Sequence, residues 1–533
     1  MLEIFTTTKF DDEIALIDDN RTYTFSNIKK QIAYQTEKLK DKNKNVVILG
    51  EDNYSFIIHF FASVFSGKNI YLITDRARLN DIDADFEVLD KTTFGSIENY
   101  DFPNIDVNNI FINFFTSGST SKPKIITHSL YNIIFEGKDL GDEFDLDDEN
   151  MTVMSTTTLC HRYGLVTHLM FPITHKLKIY IKSIAYPDNV DIENSVLVTT
   201  PSFLSSVFKY NIPFKVPPKY IFSAGSKLDG TIFEKLEKNS KVIEIYGSSE
   251  TGDIAHKTHY SDNFRLFNCV DIKVNEDNIE VISDYIYNKS AIVNDKIEIN
   301  NNQIIIKKRT DRMFKICEKR ISADELEEKL KQHEFAEDCY ITKYEDKLVC
   351  LCALSKTGQD YLLDNNVASL TKNLKQHLLK YSEIIPQKWK FIDEIPKTDM
   401  GKINKNFIMH LFNINLSLPV ILSRTVEENI IIYKILFYKN CNFFKGHFPE
   451  FEIVPGVAQI YLAKEFANAH FQLNLGQGQW KRIKFSNIIE PDSIVYLKLE
   501  KTEKHVSYEY YSDTKKYASG VFLCENIFEE ILK

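Results

Sequence analysis

Phe115-Thr116-Ser117-Gly118-Ser119-Thr120-Ser121-Lys122-Pro123-Lys124 is a hydroxyl- and glycine-rich stretch closed by lysines, directly after the apolar run Ile110-Phe111-Ile112-Asn113-Phe114. A strand followed by such a loop is how proteins cradle polyphosphate. Bare backbone N–H groups and small hydroxyls approach the oxygens, and a lysine neutralises them. The G-x-x-x-x-G-K-[ST] spacing of a Walker loop is absent. Alone, the stretch also reads as a flexible polar turn, so its surroundings decide its meaning.

Upstream, Asn45-Val46-Val47-Ile48-Leu49-Gly50 reads as a buried strand, 54–65 as a helix packed on a sheet, and 67–73 as the next strand. Ser26 is a candidate cap for an earlier helix with Ile28, Ile32 and Leu39 on one face. This βαβ rhythm, sustained over the first three hundred residues or so, argues for α/β architecture. Downstream, the strand Ile304-Ile305-Ile306 ends in the hydrophilic turn Arg309-Thr310-Asp311-Arg312, and Ser322-x-x-Glu325 opens a new helix ahead of Leu326 and Leu330. That second unit mixes helices and strands. The remainder is strand-rich, at 425–438, 493–501, 506–511 and 517–524, around one helical candidate at 457–471.

With 533 residues the chain exceeds one core, and domains of about 100–200 residues suggest three. Hydrophobic content of 43% supplies ample core, and a net charge of −10 without a basic stripe argues against nucleic-acid binding. No apolar run approaches a membrane span, and the start Met-Leu-Glu-Ile is not that of a signal peptide. The eight cysteines are scattered without a C-x-x-C pair, so a reducing cytoplasm is the expected compartment.

The phosphate-type loop resembles that of the adenylate-forming superfamily of acyl-CoA synthetases, luciferases and peptide-synthetase adenylation domains. Further segments match that superfamily in order across roughly residues 10–410. Cys160-His161-Arg162-Tyr163-Gly164 is similar to its His-aromatic-Gly segment, which places His161, Tyr163 and Gly164 at the carboxylate pocket. Ser223-Ala224-Gly225 is similar to the turn against which adenine lies. In Tyr246-Gly247-Ser248-Ser249-Glu250-Thr251-Gly252 the resemblance implies that Tyr246 covers adenine, Thr251 reaches the α-phosphate and Glu250 holds magnesium. Gly247 shares that loop. Asp295 and Arg309 match the ribose-binding pair and Asp311 the hinge. Lys402, in Pro396-Lys397-Thr398-Asp399-Met400-Gly401-Lys402, matches the catalytic lysine. Thr116, Ser117, Gly118, Ser119, Thr120 and Lys124 complete the nucleotide set. Taken singly, Lys402 is a surface lysine, His161 a structural histidine and Glu250 a capping acid; the ordered set decides.

The implied chemistry suits the residue types. A carboxylate attacks the α-phosphorus of ATP, and lysine and magnesium neutralise the charge that accumulates. A thiol then displaces AMP. Two departures bear on this: Cys317-Glu318 stand where the family has glycines lining the thiol channel, and Ile125 follows the loop's last lysine.

Phe444-Lys445-Gly446-His447-Phe448-Pro449, with Ile453-Val454-Pro455-Gly456-Val457-Ala458-Gln459 and the later Lys484-Phe485 and Glu490-Pro491-Asp492, resembles the hotdog-fold 3-hydroxyacyl-carrier-protein dehydratases, the aryl-polyene type in particular. His447 then removes the proton α to a thioester, and the following helix polarises its carbonyl. Tyr461 occupies the position of the family's acid, with Glu465 one turn further on. A structural histidine in a binding or dimerisation domain is the alternative.

The expectation is therefore an α/β large adenylation domain (1–308), a small mobile α+β C-terminal subdomain (309–412) and an α+β hotdog domain (413–533). Catalysis is assigned to Lys402, Glu250, His447 and Tyr461, and the metal to Glu250. The resemblance implies ATP, Mg2+ and a thiol, either the phosphopantetheine of an acyl carrier protein or coenzyme A. The acid is aryl or fatty, and a homodimer through the hotdog domain is expected.

Overall fold

The computed structural model describes residues 3–524 apart from 51, 75, 91–93, 117–123, 210, 276–277, 301–302, 310–311, 317–318, 346, 398–401, 414–418, 428, 439–440, 445–451, 472, 474, 476–479 and 503. The chain divides into two compact units, Met1–Thr310 with Asp399–Lys402, and Asp311–Thr398 with Ile403–Lys533.

In the first unit, strands Asn45–Leu49 and Asn69–Ile73 pair in parallel with helix Asn53–Phe65 between them, the expected βαβ unit. Val46, Val47 and Ile48 have no exposure, as expected in a parallel sheet covered on both faces. Phe86–Leu89 and Phe111–Thr116 flank this pair, and Lys124–Ser129 turns back antiparallel on Phe111–Thr116 to close a five-stranded sheet. An eleven-stranded sheet has the parallel core Thr152–Ser155, Ser195–Thr199, Tyr220–Ser223 and Lys241–Ser248, followed by antiparallel Gly252–Lys257. Helix Phe25–Leu39 buries Ile28, Ile32 and Leu39 as its periodicity requires. Its cap is Thr24 rather than Ser26, because Thr24 and Asn27 exchange side chain–backbone bonds in both directions.

In the second unit, Ser322 caps helix Ala323–Leu330 by accepting from Glu325 N at 3.3 Å, and Leu326 and Leu330 are buried. Arg312, read from sequence as part of a hydrophilic turn, is buried. It donates to Asp324 at 2.7 Å and to the Ile341 carbonyl at 3.1 Å, and it also pairs with Glu327. A three-stranded sheet, Ala336–Tyr344, Lys347–Leu354 and Lys388–Ile392, lies beside a six-stranded antiparallel sheet. The latter runs Val420–Glu427, Ile430–Phe437, Ser493–Lys501, His505–Tyr511, Lys516–Leu523, Trp480–Phe485, with helix Gly456–Phe471 packed on it through Leu462, Ala463 and Phe466. The Phe466 ring stacks on Tyr433 at 5.0 Å. The run 425–438 thus contributes to two strands rather than one: Ile430–Phe437 turns back on Val420–Glu427 as a hairpin.

Candidate active site

Strands Phe111–Thr116 and Lys124–Ser129 pair with Thr116 opposite Lys124, so the two residues that bound the hydroxyl-rich stretch face each other. Ser117, Gly118, Ser119 and Thr120 lie outside the described residues. Lys124 Nζ stands 3.5 Å from Glu250 Oε1, bringing the loop's closing lysine to the carboxylate expected to hold magnesium.

Glu250 is held in place from below. Lys241–Ser248 and Gly252–Lys257 are antiparallel neighbours, and Ser249-Glu250-Thr251 is the turn that joins them. Beneath it Arg162 and Glu136 form a buried pair through two bonds of 2.8 and 3.0 Å. Arg162 also donates to the carbonyls of Ser249 (3.1 Å) and Tyr285 (2.7 Å), and Glu136 Oε1 accepts from Asp253 N at 2.8 Å. A charge pair is retained so deep because backbone groups take up the remaining donors and acceptors. His128 Nε2 lies 2.8 Å from Arg162 Nη1, and burial with that guanidinium pushes its pKa down to about 3. Burial and the Glu136 carboxylate push Asp253 well up. Gly252 is obligatory here: its φ is +74°, and a Cβ would stand 2.4 Å from both Arg162 Nη2 and Glu136 Oε1. None of Arg162, Glu136 and His128 was marked by the sequence reading, because each looks like an ordinary polar residue until the strands meet.

Thr251 does not face outward. It is fully buried, its Oγ1 donates to Gly252 O at 2.9 Å, and Ser248 Oγ lies 3.0 Å from it. Half-buried Ser249, next to Glu250, is the hydroxyl of the turn nearer to solvent. Three of the residues expected to hold adenosine are linked in the structure. Tyr246 OH donates to the buried Asp295, and Asp295 is the cross-strand partner of Arg309. Ser223 and Ala224 are buried at the end of a central strand, and Gly225 turns the chain with φ of +100°. Gly247 lies opposite Asp253 on the same hairpin.

His161 precedes the short helix Arg162–Gly164, on which Tyr163 is half-buried and Gly164 buried. Burial and the Lys402 cation push the His161 pKa down to about 4. Lys402 is exposed and belongs by its contacts to the first unit. Hence the lysine from the far end of the chain and the His-aromatic-Gly segment share one electrostatic neighbourhood. Asp311, the expected hinge, lies outside the described residues.

In the six-stranded region, His447 also lies outside them. Tyr461 is half-buried on helix Gly456–Phe471, and burial and Glu465 raise its pKa, which makes the phenol a weaker proton donor than a free one. Glu465 is buried with Lys464 at 3.3 Å. The start of the helix is fixed by Gln459, which donates to Val454 O at 3.0 Å and whose carbonyl accepts from Tyr510 at 3.0 Å.

Among the described residues no group of three or more His, Cys, Asp or Glu is placed to hold a metal. A lone carboxylate, Glu250, fits magnesium that arrives with a nucleotide, since Mg2+ needs only one or two carboxylates beside phosphate and water.

Comparison with known proteins agrees with this geometry. The AMP-binding enzyme family model matches residues 68–283, and that of ApeI-like proteins (ApeI dehydratase) matches 423–521. The putative long chain fatty acid-CoA ligase VraA of Staphylococcus haemolyticus is 23% identical over 60% of this chain and 74% of its own length. The D-alanine–D-alanyl carrier protein ligase of Staphylococcus aureus is 31% identical, over 22% of this chain and 25% of its own length. ATP-bound MatB from Rhodopseudomonas palustris superposes with a TM-score of 0.64 at 13% identity, covering 77% of this chain and 98% of that one. The fold is that of an adenylate-forming ligase over about 77% of the chain, followed by an antiparallel-sheet domain of hotdog type. The chain carries an AMP-binding enzyme domain and, C-terminal to it, an ApeI-like dehydratase domain. No helix among the described residues is long and apolar enough to cross a membrane.

Proposed function

We propose that the protein activates a carboxylic acid with ATP and transfers the acyl group to the phosphopantetheine thiol of an acyl carrier protein, on which the hotdog domain then acts. The observation that carries the ligase half is the placement of Lys402 with the first unit, where its charge adds to burial in lowering the His161 pKa. In this reading the acid lies at His161, Tyr163 and Gly164, and Lys402 supplies the cation at the transferring phosphate. Asp295, Arg309 and Tyr246 hold the adenosine, and Ser249 takes the α-phosphate in place of Thr251. Magnesium, when bound at Glu250, neutralises phosphate charge. A neutral His161 is uncharged beside the acid, so the incoming carboxylate keeps its nucleophilic lone pairs without an ion-pair partner there.

Fusion to an ApeI-like dehydratase domain supports a carrier protein as acceptor, since both domains then handle the same tethered thioester. Likeness to a named fatty acid-CoA ligase supports coenzyme A as the second reading. The hotdog half uses His447 as the base, with Tyr461 orienting the substrate, and its exposed edge strand Trp480–Phe485 suits pairing with a second copy. Pyrophosphate exchange over aryl and fatty acids tests adenylation. Mass spectrometry of carrier proteins and of coenzyme A after the full reaction identifies the acceptor. Exchange with no acid tried, at saturating ATP and magnesium, overturns the ligase reading.

A further inference from the structure

The segment that leads to Lys402 is built into the hotdog domain. Ile392, Ile395, Phe407 and Ile408, on either side of the lysine loop, share one hydrophobic cluster with Ile421 and Tyr433 of the six-stranded sheet. A second cluster joins the Ala323–Leu330 helix to Val420, Leu422 and Leu436 of that sheet. The loop's stem is pinched shut by the Lys397–Ile403 bridge and by Asn404 N donating to Pro396 O at 2.8 Å.

At the base of the stem, Arg424 reaches across from strand Val420–Glu427. Its Nε lies 3.6 Å from Asp393 Oδ2 and its Nη2 3.9 Å from Glu394 Oε2. Asp393 is only 12% exposed, and burial raises its pKa while Arg424 opposes the rise. Its Oδ1 has no hydrogen-bond partner among the described residues. The guanidinium is therefore what balances a buried carboxylate at the root of the lysine loop.

We propose that Arg424 of the hotdog domain is a positioning residue for acid adenylation, holding through Asp393 the stem from which Lys402 projects. On this reading the dehydratase-like domain is a structural part of the ligase, and the inference rests on Lys402 being the adenylating lysine. Without Arg424 the Asp393 carboxylate loses its cation and keeps only the backbone groups of Asp393 and Glu394. The segment must then shift to hydrate it, and displacement of a catalytic group by about 1 Å costs up to about 10²-fold in rate.

The test uses full-length Arg424→Met, Arg424→Lys, Asp393→Asn and the Arg424→Met/Asp393→Asn double variant. Two measurements are made: pyrophosphate exchange with 4-hydroxybenzoate and octanoate as probe acids, and amide hydrogen exchange over 393–408. Arg424→Met should lower the exchange kcat about tenfold or more with little change in KM for ATP, and should deprotect 393–408. Arg424→Lys should restore most of the rate. The double variant should recover over Arg424→Met, because it removes the charge that needed balancing; an arginine that merely filled space would show no such recovery. Wild-type kcat in Arg424→Met, or unchanged protection of 393–408, overturns the proposal. If the wild type turns over neither acid yet Arg424→Met loosens 393–408, the positioning stands and the adenylation reading fails. Loss of rate that neither Arg424→Lys nor the double variant repairs reduces Arg424 to general packing and also overturns it.

Discussion

Lys402 carries its charge on the first unit although it follows the second unit's sheet in sequence, and that placement gives its function a direct test. Lys402→Ala should cost on the order of 10²–10³ in adenylate formation, the usual loss for a transition-state donor, while authentic acyl-adenylate is still consumed by the thiol. Both half-reactions falling together, or neither, would count against the assignment. A second residue-scale prediction separates neighbours that look alike in sequence. Ser249→Ala should lower the rate of pyrophosphate exchange at unchanged thermal stability. Thr251→Val should instead lower the unfolding midpoint, because its hydroxyl braces Gly252 and Ser248 inside the turn. The motif Ser-Ser-Glu-Thr presents three hydroxyls, and spacing alone does not reveal which one the hairpin turns inward. Burial does.

At the scale of elements, the βαβ unit at 45–73 was legible because a continuous apolar strand and a thirteen-residue apolar helix have only one economical packing. The hairpin at 420–437 was not, since Glu427-Glu428-Asn429 is a short polar break in an otherwise strand-forming run and no Gly or Pro marks it. The buried Glu136–Arg162–His128 support was invisible for a different reason: its members come from separate elements, and nothing local distinguishes a charge that will be buried. Gly252 marks where that support meets the motif. Gly252→Ala should destabilise the first unit by about 2–5 kcal/mol, since a left-handed backbone and a steric overlap add. The midpoint of urea unfolding, read with the slope held fixed, measures this; an unchanged midpoint would mean the hairpin relaxes away from Arg162.

For the molecule as a whole, buried neutral imidazoles set an acid limit. Burial holds His128 near 3 (Arg162 contributing) and His168 near 4, against 6.5 for the free side chain, and both are almost completely enclosed. A histidine whose folded pKa lies below its unfolded value binds more protons when unfolded. Its contribution is therefore intact above pH 6.5 and falls as pH drops toward the folded value. At pH 5 each should cost about 2 kcal/mol relative to neutral pH. Summed, the two make a loss large against the 5–15 kcal/mol typical of folded proteins. The expected result is a fall in the urea midpoint of the full chain between pH 7 and pH 5, steepest below 6.5, with His168→Gln less stable at pH 7 but losing less on acidification. A midpoint flat over that range would mean that the first unit opens enough to let these rings be protonated in place.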